Sequence, residues 1–256
     1  MDRRSFLRRV ATGAACFCGA CSGIGKALAS EGAHWAYEGH GGPAEWGGLA
    51  PEYAACSMGK EQSPIDLKQP VAAIMGDPVP AWRPLPLKVM NNGHTIQVDC
   101  TGGGTLALDG KSYDLLQFHF HHPSEHTVDG AVFDMECQFV HKAADGALAV
   151  LGVMIAKGAP NPALEAIWQV MPDKAGETAT GTTLLDASML LPQDVVTFRY
   201  AGSLTTPPCS EVVQWVVYRQ AITASAEQLG RFAKLFANNA RPVQPLNRRK
   251  LLLDVM

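Results

Sequence analysis

The sequence predicts a mainly antiparallel β fold with short helices at its margin. Three observations carry the prediction. The 25 Gly and 17 Pro among 256 residues are spread along the chain, which favours turns and short strands over long helices. From about residue 94, short apolar or alternating runs succeed one another between Gly-containing turns. Only two segments carry a helical pattern. A hydrophobic content of 47% and a charged content of 18% suit a globular chain, long enough for one sizeable core or two small ones.

In chain order, the first 29 residues stand apart. "DRRSFLRR" puts adjacent Arg3 and Arg4 ahead of Phe6 and Leu7, and a short run rich in Ala, Gly and Cys leads to the small-residue site Ala27-Leu28-Ala29. This reads as a twin-arginine-type signal peptide cleaved after Ala29, which sends the chain to the periplasm or outside the cell. The run is too short and glycine-rich to span a membrane well. A lipoprotein site at Cys21 is the alternative, opposed by Cys18 where an aliphatic residue is expected. No repeat or low-complexity linker follows, so residues 30–256 read as one domain. To about residue 90 that domain is loop-rich, broken by Pro43, Pro51, Pro64, Pro70, Pro78, Pro80, Pro84 and Pro86.

Strands are then expected at 94–100, 105–110, 113–122, 133–142, 148–156, 195–202 and 211–219. Turn chemistry separates several of them: Thr101-Gly102-Gly103-Gly104, Asp109-Gly110, Asp129-Gly130 and Asp145-Gly146. A short helix is expected to start at Pro162. A second, over 225–238, carries Leu229, Phe232, Leu235 and Phe236 on one stripe behind a Ser225/Gln228 capping-box pattern. A net charge of −3 offers no electrostatic footprint for nucleic acid or an anionic membrane surface. Of seven cysteines, Cys16, Cys18 and Cys21 lie in the leader. Export would permit disulfides among Cys56, Cys100, Cys137 and Cys209, which the sequence alone does not pair. Cys100 and Cys137 sit in apolar runs and read as buried thiols.

The chemistry concentrates in "LQFHFHHPSEHT", residues 116–127, which holds four histidines: His119, His121, His122 and His126. On a strand, His119 and His121 share one face with Gln117. Two imidazoles make half a metal site, because zinc takes at least three protein ligands. The source of the third is the neighbouring run "MECQFVHK", residues 135–142. There Glu136, Gln138 and Val140 share one face, and Cys137, Phe139 and His141 the other. His34 and His40, near the start of the mature chain, read as surface residues.

With these residues in view the chain resembles the alpha-class carbonic anhydrases through nearly all of its length after the leader. The resemblance runs in order through "QSPIDL" (62–67), "NNGH" (91–94), "QFHFHHPSEHTVDG" (117–130), "ADGALAVLGV" (144–153), "GSLTTPPCSE" (202–211) and "RPVQPLNRR" (241–249). It implies a large twisted, mostly antiparallel central sheet, with zinc at the bottom of a cone-shaped cleft. The implied activity is zinc-dependent reversible hydration of carbon dioxide to bicarbonate and a proton, with weak ester hydrolysis beside it. The implied partner is that small-molecule substrate; no nucleic acid is involved, no membrane after signal cleavage, and a homodimer is compatible.

Residue by residue, the resemblance makes His119 and His121 zinc ligands, with Gln117 and Glu136 as the groups that orient ligands. It makes Glu125 and Thr205 a pair joined by a hydrogen bond, in which the threonine hydroxyl selects protonated ligands. Val140, Val150, Leu204, Thr206 and Trp215 form the substrate pocket, and His94 is the proton shuttle. Cys56 and Cys209 match a disulfide of secreted members. One position departs: Gln138 stands where the family carries its third zinc-binding histidine. Three readings compete. Gln138 binds zinc through its amide oxygen; the site is empty and the protein is a metal-free, non-catalytic binding protein; or His122 or His141 enters through a bulge or register shift. The joint presence of Glu125, Thr205, Gln117, Glu136 and His94 favours the first. A metal hydrolase with another substrate is a further rival, disfavoured by the narrow apolar pocket.

Overall fold

The computed structural model describes residues 33–255. The signal-peptide reading over residues 1–29 lies outside the described residues. Their main feature is a 13-stranded mixed sheet. Its centre runs, in spatial order, through Leu85–Asn91, Ile96–Asp99, Lys111–His121, Met135–Lys142, Leu148–Lys157, Val213–Tyr218 and Thr197–Gly202. Most neighbours are antiparallel. Parallel pairing joins Leu148–Lys157 to Val213–Tyr218 and to Ile222–Ala224, and Leu252–Asp254 to Val71–Ala73. No helix among the described residues is long and apolar enough to cross a membrane.

All seven expected strands are present, with ends shifted by a few residues. Others were not expected. Thr178–Leu185 ("TATGTTLL") has no apolar alternation and fully buries only Leu185; it is held by pairing with Leu85–Asn91 at one end of the sheet. The helix expected over 225–238 stops after Ala226–Ala233, with the reciprocal Ser225–Gln228 capping box in place. Leu229 and Phe232 are buried, while Leu235 and Phe236 pack on the core from beyond the helix end. Helix Pro162–Val170 starts where Pro162 predicts, with the Asn161 side chain accepting from the Ala163 and Leu164 amides.

Alternation along the central strands separates structure from chemistry. Phe118, Phe120, Cys137 and Phe139 point into the main core and are fully buried. There Phe120 meets Trp168 of one helix at 4.8 Å between ring centroids and Phe232 of the other at 6.1 Å. Each such ring contributes about 1.5–3 kcal/mol of burial, so the intervening residues are held firmly on the opposite face. Those residues are His119, His121, Glu136 and Gln138. Cys100 and Cys137 are buried free thiols, as expected.

Candidate metal centre

The strand register brings the site together. Gln138 lies opposite His119 and Glu136 opposite His121 on the adjacent antiparallel strand. His119 Nδ1 lies 2.9 Å from Gln117 Oε1, and His121 Nδ1 lies 2.7 Å from the carbonyl oxygen of Asn239. Both partners can only accept, so each imidazole in its neutral form carries its proton on Nδ1 and leaves an Nε2 lone pair free. Burial, with His121 beside it, pushes the His119 pKa down to about 3. It is therefore neutral at physiological pH, as a metal ligand must be.

Gln138 is oriented with equal definition. Its Nε2 donates to Glu125 Oε2 at 2.9 Å and to Glu136 Oε1 at 3.0 Å. Two carboxylates accept both amide hydrogens, which leaves Oε1 as the accepting end of the carboxamide. The carboxylates are themselves fixed. Glu136 Oε2 accepts from the backbone amides of Glu125 and His126 at 3.0 and 2.9 Å, and its Oε1 pairs with His126 Nδ1 at 2.9 Å. Glu125 Oε1 accepts from the Arg241 amide at 2.8 Å.

These donors suit a divalent cation. His121 Nε2 is buried with no hydrogen-bond partner among the described residues, and the Glu125 carboxylate faces it at 3.4 Å. A bare lone pair beside a buried carboxylate is repulsive unless a positive charge lies close to both. Among the described residues no three His, Cys, Asp or Glu side chains converge on a common point. Beside the two imidazoles stands the carboxamide of Gln138, opposite His119 on the adjacent strand. Two nitrogens and a neutral oxygen form a set that zinc accepts, at lower affinity than three imidazoles.

The histidines offered as alternative third ligands are engaged elsewhere. A bulge does fall between Val140 and His141. His141 nevertheless stays on the core face, fully buried, with Nδ1 bonded to the Phe139 carbonyl and its ring stacked on Trp82. His122 is turned away, its Nδ1 on the Ala237 carbonyl. His126 is buried between Glu136 and the Tyr200 hydroxyl.

One expected contact is different. Thr205 is buried in the loop after Thr197–Gly202, but among the described residues no hydrogen bond joins it to Glu125. Instead, Glu125 Oε2 accepts from the Gln138 amide and Oε1 from the Arg241 amide. Gln117 and Glu136 do orient donors, with Glu136 holding the Gln138 amide. Asn239 and Arg241 were missed as supports because they lie more than a hundred residues from the groups they hold. The Asn239 carbonyl accepts from His121 and its side chain bonds Phe120 and His122, and the Arg241 amide donates to Glu125.

A cavity of about 140 Å³ opens beside His119 and His121, lined also by Trp35, Tyr37, His94 and Thr206. His94 stacks flat on Trp35, with centroids 3.8 Å apart and 7° between planes. Burial and nearby His34 lower its pKa. Val140, Val150 and Trp215 form one lateral row across three strands. Leu204 packs in the same apolar cluster, and Trp215 Nε1 donates to the Ser203 carbonyl at 3.0 Å. The Cys56–Cys209 disulfide is present, joining the Ala55–Met58 turn of helix to the loop that carries Thr205 and Thr206.

Comparison with known proteins agrees with this arrangement. The family model for eukaryotic-type carbonic anhydrase matches residues 41–254. The chain belongs to the alpha-class carbonic anhydrase family. A carbonic anhydrase of Pectobacterium carotovorum is 45% identical over 230 residues, covering 89% of this chain and 93% of that protein. One from a Nostoc species is 44% identical, with 86% and 85% covered. The alpha-carbonic anhydrase of Thermovibrio ammonificans, solved with the inhibitor sulfanilamide, superposes with a TM-score of 0.85 at 47% identity. The match covers 86% of this chain and 99% of that one.

Proposed function

We propose that this carbonic anhydrase family member hydrates carbon dioxide reversibly to bicarbonate and a proton, using zinc held by His119, His121 and Gln138. The carrying observation is that His121 Nε2 is buried without a hydrogen-bond partner among the described residues and faces the Glu125 carboxylate, while Nδ1 of both imidazoles and the amide nitrogen of Gln138 are already engaged. Zinc held there would supply Lewis-acid chemistry that activates water at neutral pH.

The protein's own residues do the rest. The row Val140, Val150 and Trp215, with Leu204, offers an apolar surface suited to a small molecule without a dipole. His94 sits at the cavity wall, where burial and His34 lower its pKa, and its imidazole is placed to relay a proton between the cavity and solvent. Glu125 holds the Gln138 amide, and Thr206 lies on the cavity lining. The leader assigns the chain to the periplasm or the cell exterior, a reading supported by a disulfide that needs an oxidising compartment.

The test is zinc content and carbon dioxide hydration for the natural chain and for Gln138→His, each with and without added zinc. About one zinc per chain together with hydration by the natural protein is expected. A natural protein that stays metal-free and inactive, while Gln138→His recovers both, would overturn the reading in favour of a metal-free binding protein.

A further inference from the structure

We propose that Glu125 is a positioning residue for the metal ligand, coupled to Gln138 in a way a histidine at that position would not be. The inference rests on the zinc reading above and adds a partner to it. A carboxamide has two ends of opposite character. With its oxygen toward the cavity it is a ligand; turned over, it presents two N–H groups and repels a cation. What fixes its orientation therefore sets metal affinity.

Here the two hydrogens are divided between two carboxylates, Glu125 Oε2 at 2.9 Å and Glu136 Oε1 at 3.0 Å. Glu136 on its own holds only one of them. Glu125 is suited to hold the second, because it is buried and its other oxygen is committed to the Arg241 amide at 2.8 Å. The same Oε2 faces His121 Nε2 at 3.4 Å, so one carboxylate oxygen sits against two of the three donors. An imidazole at 138 has a single N–H to place, and Glu136 suffices for it.

The experiment is a cycle of four proteins: the natural chain, Glu125→Gln, Gln138→His and the double variant. The readout is zinc dissociation constant by competition with a chromophoric chelator. Glu125→Gln keeps size but has one acceptor oxygen for two donors, Arg241 N–H and the Gln138 amide. It is expected to weaken zinc roughly 10–100-fold with glutamine at 138, the scale of groups that orient ligands, and less than about 3-fold with Gln138→His. The visible absorption of the cobalt(II)-loaded proteins should shift with Glu125→Gln only when glutamine is at 138.

An equal loss in both backgrounds, or no loss with glutamine present, overturns the coupling while leaving the zinc reading intact. Absence of zinc binding by the natural chain, with binding by Gln138→His, overturns both. Melting temperatures in chelator report whether each variant folds. If Glu125→Gln does not fold, Glu125→Asp replaces it: one methylene shorter, it should weaken zinc with glutamine at 138 and not with Gln138→His.

Discussion

The two strands that supply the donors solve the same problem in different ways. Lys111–His121 presents two imidazoles, each held by one neutral acceptor, Gln117 Oε1 and the Asn239 carbonyl. Met135–Lys142 presents one carboxamide, held by two carboxylates. An imidazole needs its proton placed, and one acceptor does that. An amide needs its whole orientation chosen, and two acceptors on its nitrogen do that. Position 138 thus differs from 119 and 121 in its support as well as in its donor, with Glu125 bonded to the Gln138 amide.

The comparison breaks most severely if an imidazole is removed. His121→Ala should weaken zinc by about 3 kcal/mol, roughly 100-fold, the share of one ligand in a four-ligand structural site. Chelator competition checks this, and an affinity within 3-fold of the natural chain would show that His121 is not a ligand. The carboxamide strand also carries a pH liability on its other face. Burial pushes His141 down to about 4 from an ordinary 6.5, so the unfolded chain binds more protons than the folded one between those values. Stability is full above pH 6.5 and falls by about 3 kcal/mol as pH drops to 4. His141→Phe should flatten that part of the pH profile in denaturant titrations; an unchanged slope would assign it elsewhere. The smallest effect is expected from Gln117→Ala, which frees one imidazole to choose its tautomer. Zinc affinity should drop about 10-fold, measured by the same competition, and less than the loss on removing His121.

Much of this was legible because it depends on near neighbours. The period-two alternation of "QFHFHH" puts His119 and His121 on one face and Phe118 and Phe120 on the other whatever the rest of the chain does. The same reasoning kept His141 away from the site, and it is found against Trp82. Ser225 and Gln228 announced their helix through a cap that closes within four residues. Thr178–Leu185 was not legible, because its strand character comes from a neighbour rather than from its own pattern.

By itself, then, the sequence determined the β-rich class and the shared face of the two imidazoles, which follow from local periodicity. The glutamine beside them and the apolar row were named through the resemblance to the family. Only the tertiary structure decided which way the Gln138 amide points, that Asn239 and Arg241 supply backbone support, and that Glu125 bonds Gln138 rather than Thr205. Those outcomes turn on hydrogen-bond partners 13 to 118 residues apart in sequence, and such donors and acceptors find each other only once the sheet has closed.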